Sequence, residues 1–310
     1  MDGVLVVDKP EGLTSHDVVA AARRALGEAR IGHTGTLDPL ATGVLPLVCG
    51  RATRLVRFLS ASDKDYEATI RFGYTTDSFD ATGEETSRTD REPTQSEVVA
   101  ALASLGGEYL QTPPSYSAKK VAGRRAYALA RRDEAVALEP APVRVARAEL
   151  VGFTGTRAMV ALTCSAGFYV RSFAHALGQC VGTGACLEAL RRTRSGEFGI
   201  DEATSMRHLD EAVDMLIPMD RLLPNLPAVT VTSEGLLRVA HGRMLEPGHL
   251  TPGPKDPANE PGRAYEPRRA GPTDPPEPEW VRVFDPGGAL VALATPGDST
   301  GSLHPSVVLI

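Results

Sequence analysis

The chain has 310 residues, 42% of them hydrophobic and 23% charged, with a formal net charge of −6. This composition excludes a fibrous or wholly disordered protein and suits a globular chain with one large domain and one small one. No stretch approaches about 18 consecutive apolar residues, and the N-terminus lacks a basic region before an apolar run. We therefore expect no membrane span, no secretory signal and a cytoplasmic location.

The first 50 residues predict a strand, a helix and a second strand. The apolar run at 3–8 is typical of a buried strand. Thr14 or Ser15 can cap the following helix, and Gly27 ends it. A glycine-rich loop then leads into an apolar strand at 44–49.

The middle of the chain alternates between strand and helix patterns. Every second residue from Tyr66 to Phe72 is apolar, which indicates a strand. The segments 143–153 and 158–164 predict an antiparallel pair. Residues 172–192 predict a helix that Gly182–Gly184 interrupts. Because no regular βαβ repeat is present, we predict an α+β fold with a mixed, largely antiparallel sheet.

Charge is unevenly distributed along the chain. Residues 111–150 carry eight Lys or Arg and four Asp or Glu, a local balance of +4. A second basic cluster comprises Arg191, Arg192 and Arg194. Such clusters are typical of a face that meets phosphate, although solvated helix faces would give the same pattern.

The C-terminal part, 226–310, resembles a separate small module. The stretch 247–280 is dense in Pro, Gly and charge, which is typical of a disordered or linker-like insertion. Two short apolar runs, 281–284 and 289–293, flank Asp-Pro-Gly-Gly and predict a β-hairpin. A small β-barrel split by the insertion would fit this pattern.

The cysteines do not form a metal or disulfide framework. No two make a CxxC pair, and no histidine stands at finger-like spacing from them. We expect free thiols and no zinc site at these four positions, which are Cys49, Cys164, Cys180 and Cys186.

The richest candidate for chemistry is the loop GHTGTLDPLATG at 32–43, which contains Asp38. Its three glycines permit close approach of a ligand, and functional residues favour such loops. An aspartate before a proline is also a common start of a turn. A phosphate-binding loop is a further alternative, but the segment lacks the Gly-Lys-Ser/Thr ending. The loop alone leaves these alternatives open.

Longer motifs reveal a resemblance. The segments GVLVVDKPEGLTSHDVV, GHTGTLDPLATGVLPLVCGRATRL, DKDYEATIRFGYTTDSFDATG, PPSYSAKKVAGRRAY and CSAGFYVRSFAHALG stand in this order. Together they resemble the bacterial tRNA pseudouridine(55) synthases, the TruB family, over about 3–225. The resemblance implies a catalytic domain at 1–225 with a cleft across a mixed sheet. It implies isomerisation of a T-loop uridine of tRNA without metal or organic cofactor, by a monomer.

The resemblance also assigns roles to individual residues. Asp38 matches the essential aspartate, and Arg171 matches the arginine that pairs with it. Tyr66 matches the aromatic residue that stacks on the target base. Tyr169 and Leu190 match residues that line the uridine pocket. Without the motifs, Tyr66 and Leu190 would be interpreted as core residues, and Arg171 as a surface arginine.

Four further features follow from the resemblance. His33 matches a residue that enters the T-loop, and Lys9 matches a lysine that supports the active-site loop. The segment 112–140 matches a mobile RNA-binding loop, and 226–310 corresponds to a small RNA-binding barrel of PUA type. Two alternatives are a guide-RNA-directed relative that acts on ribosomal RNA and a tRNA-folding protein with secondary catalysis.

Overall fold

The computed structural model describes residues 1–116, 138–252 and 280–310, and the backbone alone of 120–121 and 124–125. Most of the predicted RNA-binding loop at 112–140 and of the insertion at 247–280 therefore lies outside the described residues.

Strands make up most of the regular structure in the described residues. In chain order they are β1 (Gly3–Lys9), β2 (Ile31–His33), β3 (Ala41–Cys49), β4 (Lys64–Phe72), β5 (Tyr74–Thr76), β6 (Glu85–Arg88), β7 (Gly107–Gln111), β8 (Lys120–Val121), β9 (Arg124–Arg125), β10 (Ala141–Phe153), β11 (Arg157–Cys164), β12 (Ala185–Ser195), β13 (Phe198–Gly199), β14 (Thr204–Ser205), β15 (Ile217–Pro218), β16 (Ala228–Val231), β17 (Leu250–Pro252), β18 (Val281–Phe284), β19 (Leu290–Pro296) and β20 (Leu303–Val308). The α-helices are α1 (Ser15–Leu26), α2 (Val56–Ser60), α3 (Gln95–Ser104), α4 (Val170–Val181) and α5 (Ser233–Ala240).

The main sheet has the strand order β14-β1-β3-β12-β4-β11-β10-β7. Three short strands add to it, because β13 pairs with β12, β15 with β1 and β2 with β3. The pairs β1–β14 and β3–β12 are parallel, whereas the other pairs of this sheet are antiparallel. The predicted mixed, largely antiparallel sheet is confirmed.

Strand β1 is apolar from Gly3 to Val7 because both faces of the sheet are covered there. Leu5 and Val7 belong to a core that includes residues of α1, α3 and α4. Val4 and Val6 belong to a second core that includes Phe284 of the C-terminal sheet. A strand that is buried on both faces has no exposed polar positions, which explains the unbroken apolar run in the sequence.

Helix α1 confirms the predicted capping. The Thr14 side chain accepts a hydrogen bond from the Asp17 N–H, and the Asp17 carboxylate accepts one from the Thr14 N–H. This reciprocal arrangement satisfies two donors that a helix start would otherwise leave unpaired. Gly27 ends the helix with φ 62°, a conformation that costs glycine little.

The prediction of helix over 172–192 was wrong in its second half. Helix α4 ends at Val181, and residues from Ala185 onward form β12, which lies between β3 and β4 in the centre of the sheet. The sequence ACLEALRR favours a helix, but intrinsic propensity is worth only about 0–0.7 kcal/mol per ordinary residue. Backbone pairing on both sides, with burial of Leu187 and Leu190, outweighs that preference.

The C-terminal residues form a second sheet in the order β17-β16-β18-β19-β20. The predicted hairpin is confirmed as β18 and β19. Within the described residues the two outer strands, β17 and β20, do not pair, so the predicted barrel closure is not confirmed. Trp280 anchors this sheet to α2, because its ring lies 4.8 Å from that of Phe58 and Arg57 lies over both.

Candidate active site

The loop that carries Asp38 joins β2 to β3 and is held to the start of α1. The Leu37 N–H donates to the Ser15 hydroxyl at 2.8 Å, and that hydroxyl donates to the Leu37 carbonyl at 3.1 Å. On the other side of Asp38, the Gly12 N–H donates to the Pro39 carbonyl at 2.8 Å. Both flanks of the carboxylate are therefore fixed to the scaffold, as a functional loop requires.

Arg192 supports the same loop from inside the protein. It is 1% exposed, and its guanidinium donates to the carbonyls of Val44 at 2.7 Å and Gly35 at 3.1 Å. Gly43 lets the backbones of β3 and β12 approach closely, since a Cβ there would lie 2.2 Å from the Arg192 backbone carbonyl oxygen. Its φ of +99° also favours glycine. Arg192 thus joins the loop to the central strand β12.

Asp38 and Arg171 come together although 132 positions separate them in the sequence. The Arg171 Nε lies 2.9 Å from Oδ2 of Asp38. The carboxylate lies off the direction of the N–H bond, so the contact is an ion pair rather than an aligned hydrogen bond. The Arg171 side chain is 6% exposed and that of Asp38 is 41% exposed. The buried guanidinium therefore orients the carboxylate, whose exposed part remains open to a ligand.

Arg171 has further partners that the sequence analysis missed. Its Nη1 lies 3.5 Å from Oδ2 of Asp80 and donates to the Ser78 carbonyl at 3.1 Å. Its Nη2 donates to the Tyr116 carbonyl at 2.8 Å. Asp80 is itself fixed, because its Oδ1 accepts hydrogen bonds from the N–H and hydroxyl of Thr82. The segment DSFDATG carried no signal for this role, because only the fold shows that the Asp80 carboxylate is buried and therefore needs a partner.

Burial raises the pKa of Asp38 above its usual value, and the positive charge of Arg171 opposes that rise. Asp80 adds to the increase, because two nearby carboxylates disfavour each other's ionisation. Lys9 acts in the opposite direction. The ionised form of Asp38 therefore depends on the two cations beside it.

Tyr66 lies on β4 and is 8% exposed. Burial raises the pKa of its phenol, and the guanidinium of Arg192 beside it opposes the rise. The phenol is therefore neutral near pH 7. Its strand pairs with β12, where Leu190 is also 8% exposed and lies opposite Ala68. Tyr66 and Leu190 thus stand on neighbouring strands.

Tyr169 is the N-cap residue of α4, two positions before Arg171. The side-chain amide of Gln111 holds its backbone on both sides. The Tyr169 N–H donates to Oε1 at 2.8 Å, and Nε2 donates to the Tyr169 carbonyl at 3.1 Å. Thr112 follows Gln111 in the chain, and its carbonyl accepts a hydrogen bond from the Ser172 hydroxyl. The end of β7 is therefore fastened to the first turn of α4.

Lys9 is fully buried at the end of β1. Its ammonium donates to the carbonyls of Pro10 at 2.9 Å and Leu13 at 2.6 Å, and it approaches the Pro39 carbonyl at 3.4 Å. Burial lowers the pKa of Lys9 to about 8, and the charge of Asp38 partly opposes this effect. The lysine contacts the loop rather than open solvent.

His33 is half-buried on β2, and its Nδ1 has no hydrogen-bond partner within the described part of the chain. Burial lowers the pKa of this imidazole, and the charge of Arg192 adds to the effect. Because Nδ1 is buried, an incoming group would meet the other atoms of the half-exposed, neutral ring.

The basic cluster at 191–194 does not form the free phosphate-binding patch that its sequence suggests. Arg192 is buried under the loop. Arg191 pairs with Asp8 at 2.9 Å, and Arg194 pairs with Asp65 at 2.6 Å. Each of these three cations already has a partner in the protein. The sum of their charges therefore overstates the positive potential that a phosphate would meet at this surface.

No group of three or more His, Cys, Asp or Glu side chains in the described ranges is arranged to hold a metal ion. Among the helices the structure describes, none combines the length and apolar character needed to cross a membrane.

Known proteins resemble this chain in sequence over most of its length. Residues 23–170 match the model of the TruB family pseudouridylate synthase N-terminal domain, and 171–223 match the tRNA pseudouridylate synthase B C-terminal domain. The chain is 48% identical over 250 residues to tRNA pseudouridine synthase B of Solibacter usitatus, covering 78% of this chain and 85% of that protein. The protein of the same name from Symbiobacterium thermophilum is 46% identical over 246 residues, covering 78% and 82%.

Solved structures share the fold. The complex described as an H/ACA RNP bound to a substrate RNA containing 2′-deoxyuridine contains a chain with a TM-score of 0.71 and 22% identity. The match covers 99% of this chain and 85% of that one. At this identity the likeness concerns the fold alone. The motif matches and the sequence relatives decide the family: the chain belongs to the TruB family of pseudouridylate synthases.

Proposed function

We propose that this protein isomerises uridine 55 in the T-loop of tRNA to pseudouridine. The observation that carries the proposal is the ion pair between Asp38 and Arg171, on a loop fixed from both sides, in a chain 48% identical to a tRNA pseudouridine synthase B. The half-exposed carboxylate is the reactive group, and the buried guanidinium orients it.

The reaction needs no external reactant. The C1′–N1 glycosidic bond of the uridine breaks, the base rotates, and a C1′–C5 bond forms. The proton on C5 is released, and N1 takes up a proton, so that product and substrate are isomers. We infer no metal or organic cofactor, as the family to which the chain belongs implies.

Asp38 serves this reaction in its ionised form. A carboxylate can attack C1′ of the ribose or C6 of the base, or it can first remove a proton from the ribose. Each of these routes requires the negative charge. Arg171 supplies the cation that favours that charge in a partly desolvated site, while leaving one face of the carboxylate open.

Tyr66, Tyr169 and Leu190 form the proposed pocket for the extruded base. Stacking of a base on an aromatic ring is worth about 1–3 kcal/mol. For the Tyr66 hydroxyl to accept the C5 proton it must first ionise, which burial opposes and the nearby guanidinium of Arg192 favours. Two hydrogen bonds between the Gln111 amide and the Tyr169 backbone fix the position of Tyr169 in this pocket.

His33 and Lys9 support the proposed reaction without taking part in bond changes. His33 enters the space that the flipped nucleotides leave, which offsets part of the few kcal/mol that extrusion costs. Lys9 holds the loop after Asp38 through its contact with the Pro39 carbonyl. The segment 112–140 supplies cations to the RNA backbone.

The proposed domain organisation is a catalytic domain at 1–225 and a PUA-like RNA-binding module at 226–310. The second sheet and the short helix α5 support a small β module there. We further propose that the enzyme acts as a monomer in the cytoplasm. Light scattering during size-exclusion chromatography, with and without tRNA, tests the monomer.

Two alternative functions have less support. A guide-RNA-directed enzyme carries long extra basic segments, which this sequence lacks. The shared fold with a chain of an H/ACA RNP is at 22% identity and does not transfer that chain's partners. A tRNA-folding protein would not need Asp38 to be ionised and open, so the geometry favours catalysis.

Release of tritium from tRNA tests the proposal directly. Unmodified tRNA labelled at C5 of its uridines is mixed with wild-type protein or with Asp38→Asn. The wild type should release tritium, and the variant should bind tRNA but release none, because an amide cannot act as nucleophile or base at this site. Asp220→Asn makes the same change at an exposed position and should behave as wild type.

A transcript with cytidine in place of uridine 55 tests the position. It should release no tritium above background with the wild-type protein. No release from the unmodified tRNA by folded wild-type protein would refute the proposed function. Equal release from both transcripts would refute the assignment to position 55.

A further inference from the structure

Phe79 has an uncommon backbone conformation in the turn beside the active site. Its φ is 63°, in the left-handed region that bulky side chains rarely adopt. Strained residues persist where surrounding contacts over-determine them, and they cluster at functional sites. Contacts around Phe79 must therefore hold this conformation.

Two sets of contacts hold Phe79. Its carbonyl accepts a hydrogen bond from the Leu187 N–H at 3.0 Å, and the Ala81 N–H donates to the Leu187 carbonyl at 2.8 Å. Its ring stacks on the imidazole of His175, with a centroid distance of 4.0 Å and an interplanar angle of 16°. The backbone is thus attached to β12 and the side chain to α4.

The residues on either side of Phe79 both contact Arg171. Ser78 presents its carbonyl to Nη1, and Asp80 presents its carboxylate to the same nitrogen. His175 lies one helical turn after Arg171 on α4, so the stacked ring and the guanidinium project from one face of the helix. The stack therefore ties the turn to the helix close to the point where that turn contacts Arg171.

We propose that Phe79 and His175 are positioning residues that keep the Ser78–Asp80 turn against Arg171, so that the guanidinium orients Asp38. This inference rests on the proposed function, since it assigns a role in that reaction. Without the stack, the turn relaxes toward ordinary backbone angles and withdraws two acceptors from Nη1. The guanidinium then gains freedom, and the carboxylate loses its fixed counter-ion.

Loss of the stack should also change the pKa of Asp38. The charged groups that act on this carboxylate are Arg171, Asp80 and Lys9. Loosening Arg171 removes the largest effect that opposes the rise in the pKa of Asp38. The pH at which the carboxylate ionises should therefore increase, and activity should be lost first on the acid side.

Phe79→Gly is an informative variant, because it removes the ring that ties the turn to α4, and glycine is free to leave the observed backbone angles. We expect kcat for tritium release to fall by about 10- to 100-fold, the effect of a small misplacement in an active site. The dissociation constant for tRNA should stay at the wild-type value. The acid limb of the pH profile of kcat should move to higher pH.

Variants of His175 give a second, independent test. His175→Ala should reproduce the loss and the pH shift, whereas His175→Phe retains a stacking ring and should recover most of the activity. Gln179→Ala removes the hydrogen-bond partner of the imidazole but not the stack, and it should match the wild type.

A purely structural role would lower the melting temperature without moving the acid limb. Wild-type kcat and pH profile in Phe79→Gly, or in His175→Ala if the first variant does not fold, would overturn this inference alone. An inactive wild type would overturn the proposed function as well.

Discussion

Lys9 is a cation that the fold buries completely, and its replacement gives a quantitative test of the structure. Its pKa falls from 10.5 to about 8 because burial disfavours the charged form. Each pKa unit corresponds to about 1.4 kcal/mol, so burial of the charge costs about 3 kcal/mol when the lysine is protonated in both states. Lys9→Met keeps a chain of similar length and removes the charge.

The sign of the pH dependence follows from proton binding. Below pH 8 the folded and unfolded forms both carry the proton, and the full cost is present. Between about pH 8 and 10.5 the unfolded chain binds more protons than the folded one, so stability rises with pH. Above 10.5 both forms are neutral and the cost is gone. The stability of wild type relative to Lys9→Met should therefore rise by about 3 kcal/mol from pH 7 to above 10.5.

Urea denaturation at closely spaced pH values measures this difference. The other titrating groups cancel in the comparison, as long as their surroundings are the same in both proteins. A difference between the two proteins that does not vary from pH 7 to 10.5 would refute the reasoning, because it would place Lys9 in contact with water. The same variant should have a lower kcat, since the contact of the ammonium with the Pro39 carbonyl is lost.

Three more predictions concern the site and its RNA contacts. Arg171→Lys keeps the charge but loses the planar fork, so the acid limb of kcat should move to higher pH; an unmoved limb would show that Asp38 is not the titrating group. Gln111→Glu places an acceptor against the Tyr169 carbonyl, and urea denaturation near pH 7 should show a loss of about 1–3 kcal/mol, whereas wild-type stability would contradict that contact. Replacing the Arg124–Arg125 pair by alanine should weaken tRNA binding and reduce the slope of log K against log salt by about 2. An unchanged slope would remove this pair from the RNA footprint.

The local structure was largely predictable from the sequence. The helix that starts after Thr14 and ends before Gly27 follows from capping chemistry, which involves neighbours in the chain. The alternation from Tyr66 to Phe72 predicted β4 because a strand shows its two faces in turn. The hairpin of β18 and β19 was predictable for a similar reason, because its turn sequence Asp-Pro-Gly-Gly directly joins the two strands.

The candidate site was predictable only in part. The loop around Asp38 suggested a functional segment, but its own residues also fitted a simple turn, and the resemblance of long motifs separated the two. No local pattern could reveal that Asp80 shares Arg171 with Asp38, because 90 positions lie between Asp80 and Arg171 in the sequence. Ion pairs of this kind form only when the chain has folded.

The sequence by itself determined the family, the caps and most of the strands, and it predicted which carboxylate acts. The tertiary structure decided that 185–195 is a central strand and that Arg192 is a buried support rather than a phosphate contact. The physical reason is the same in both cases. Local preferences amount to fractions of a kcal/mol per residue, whereas pairing within the sheet and burial with satisfied hydrogen bonds are collective and depend on which distant residues become neighbours.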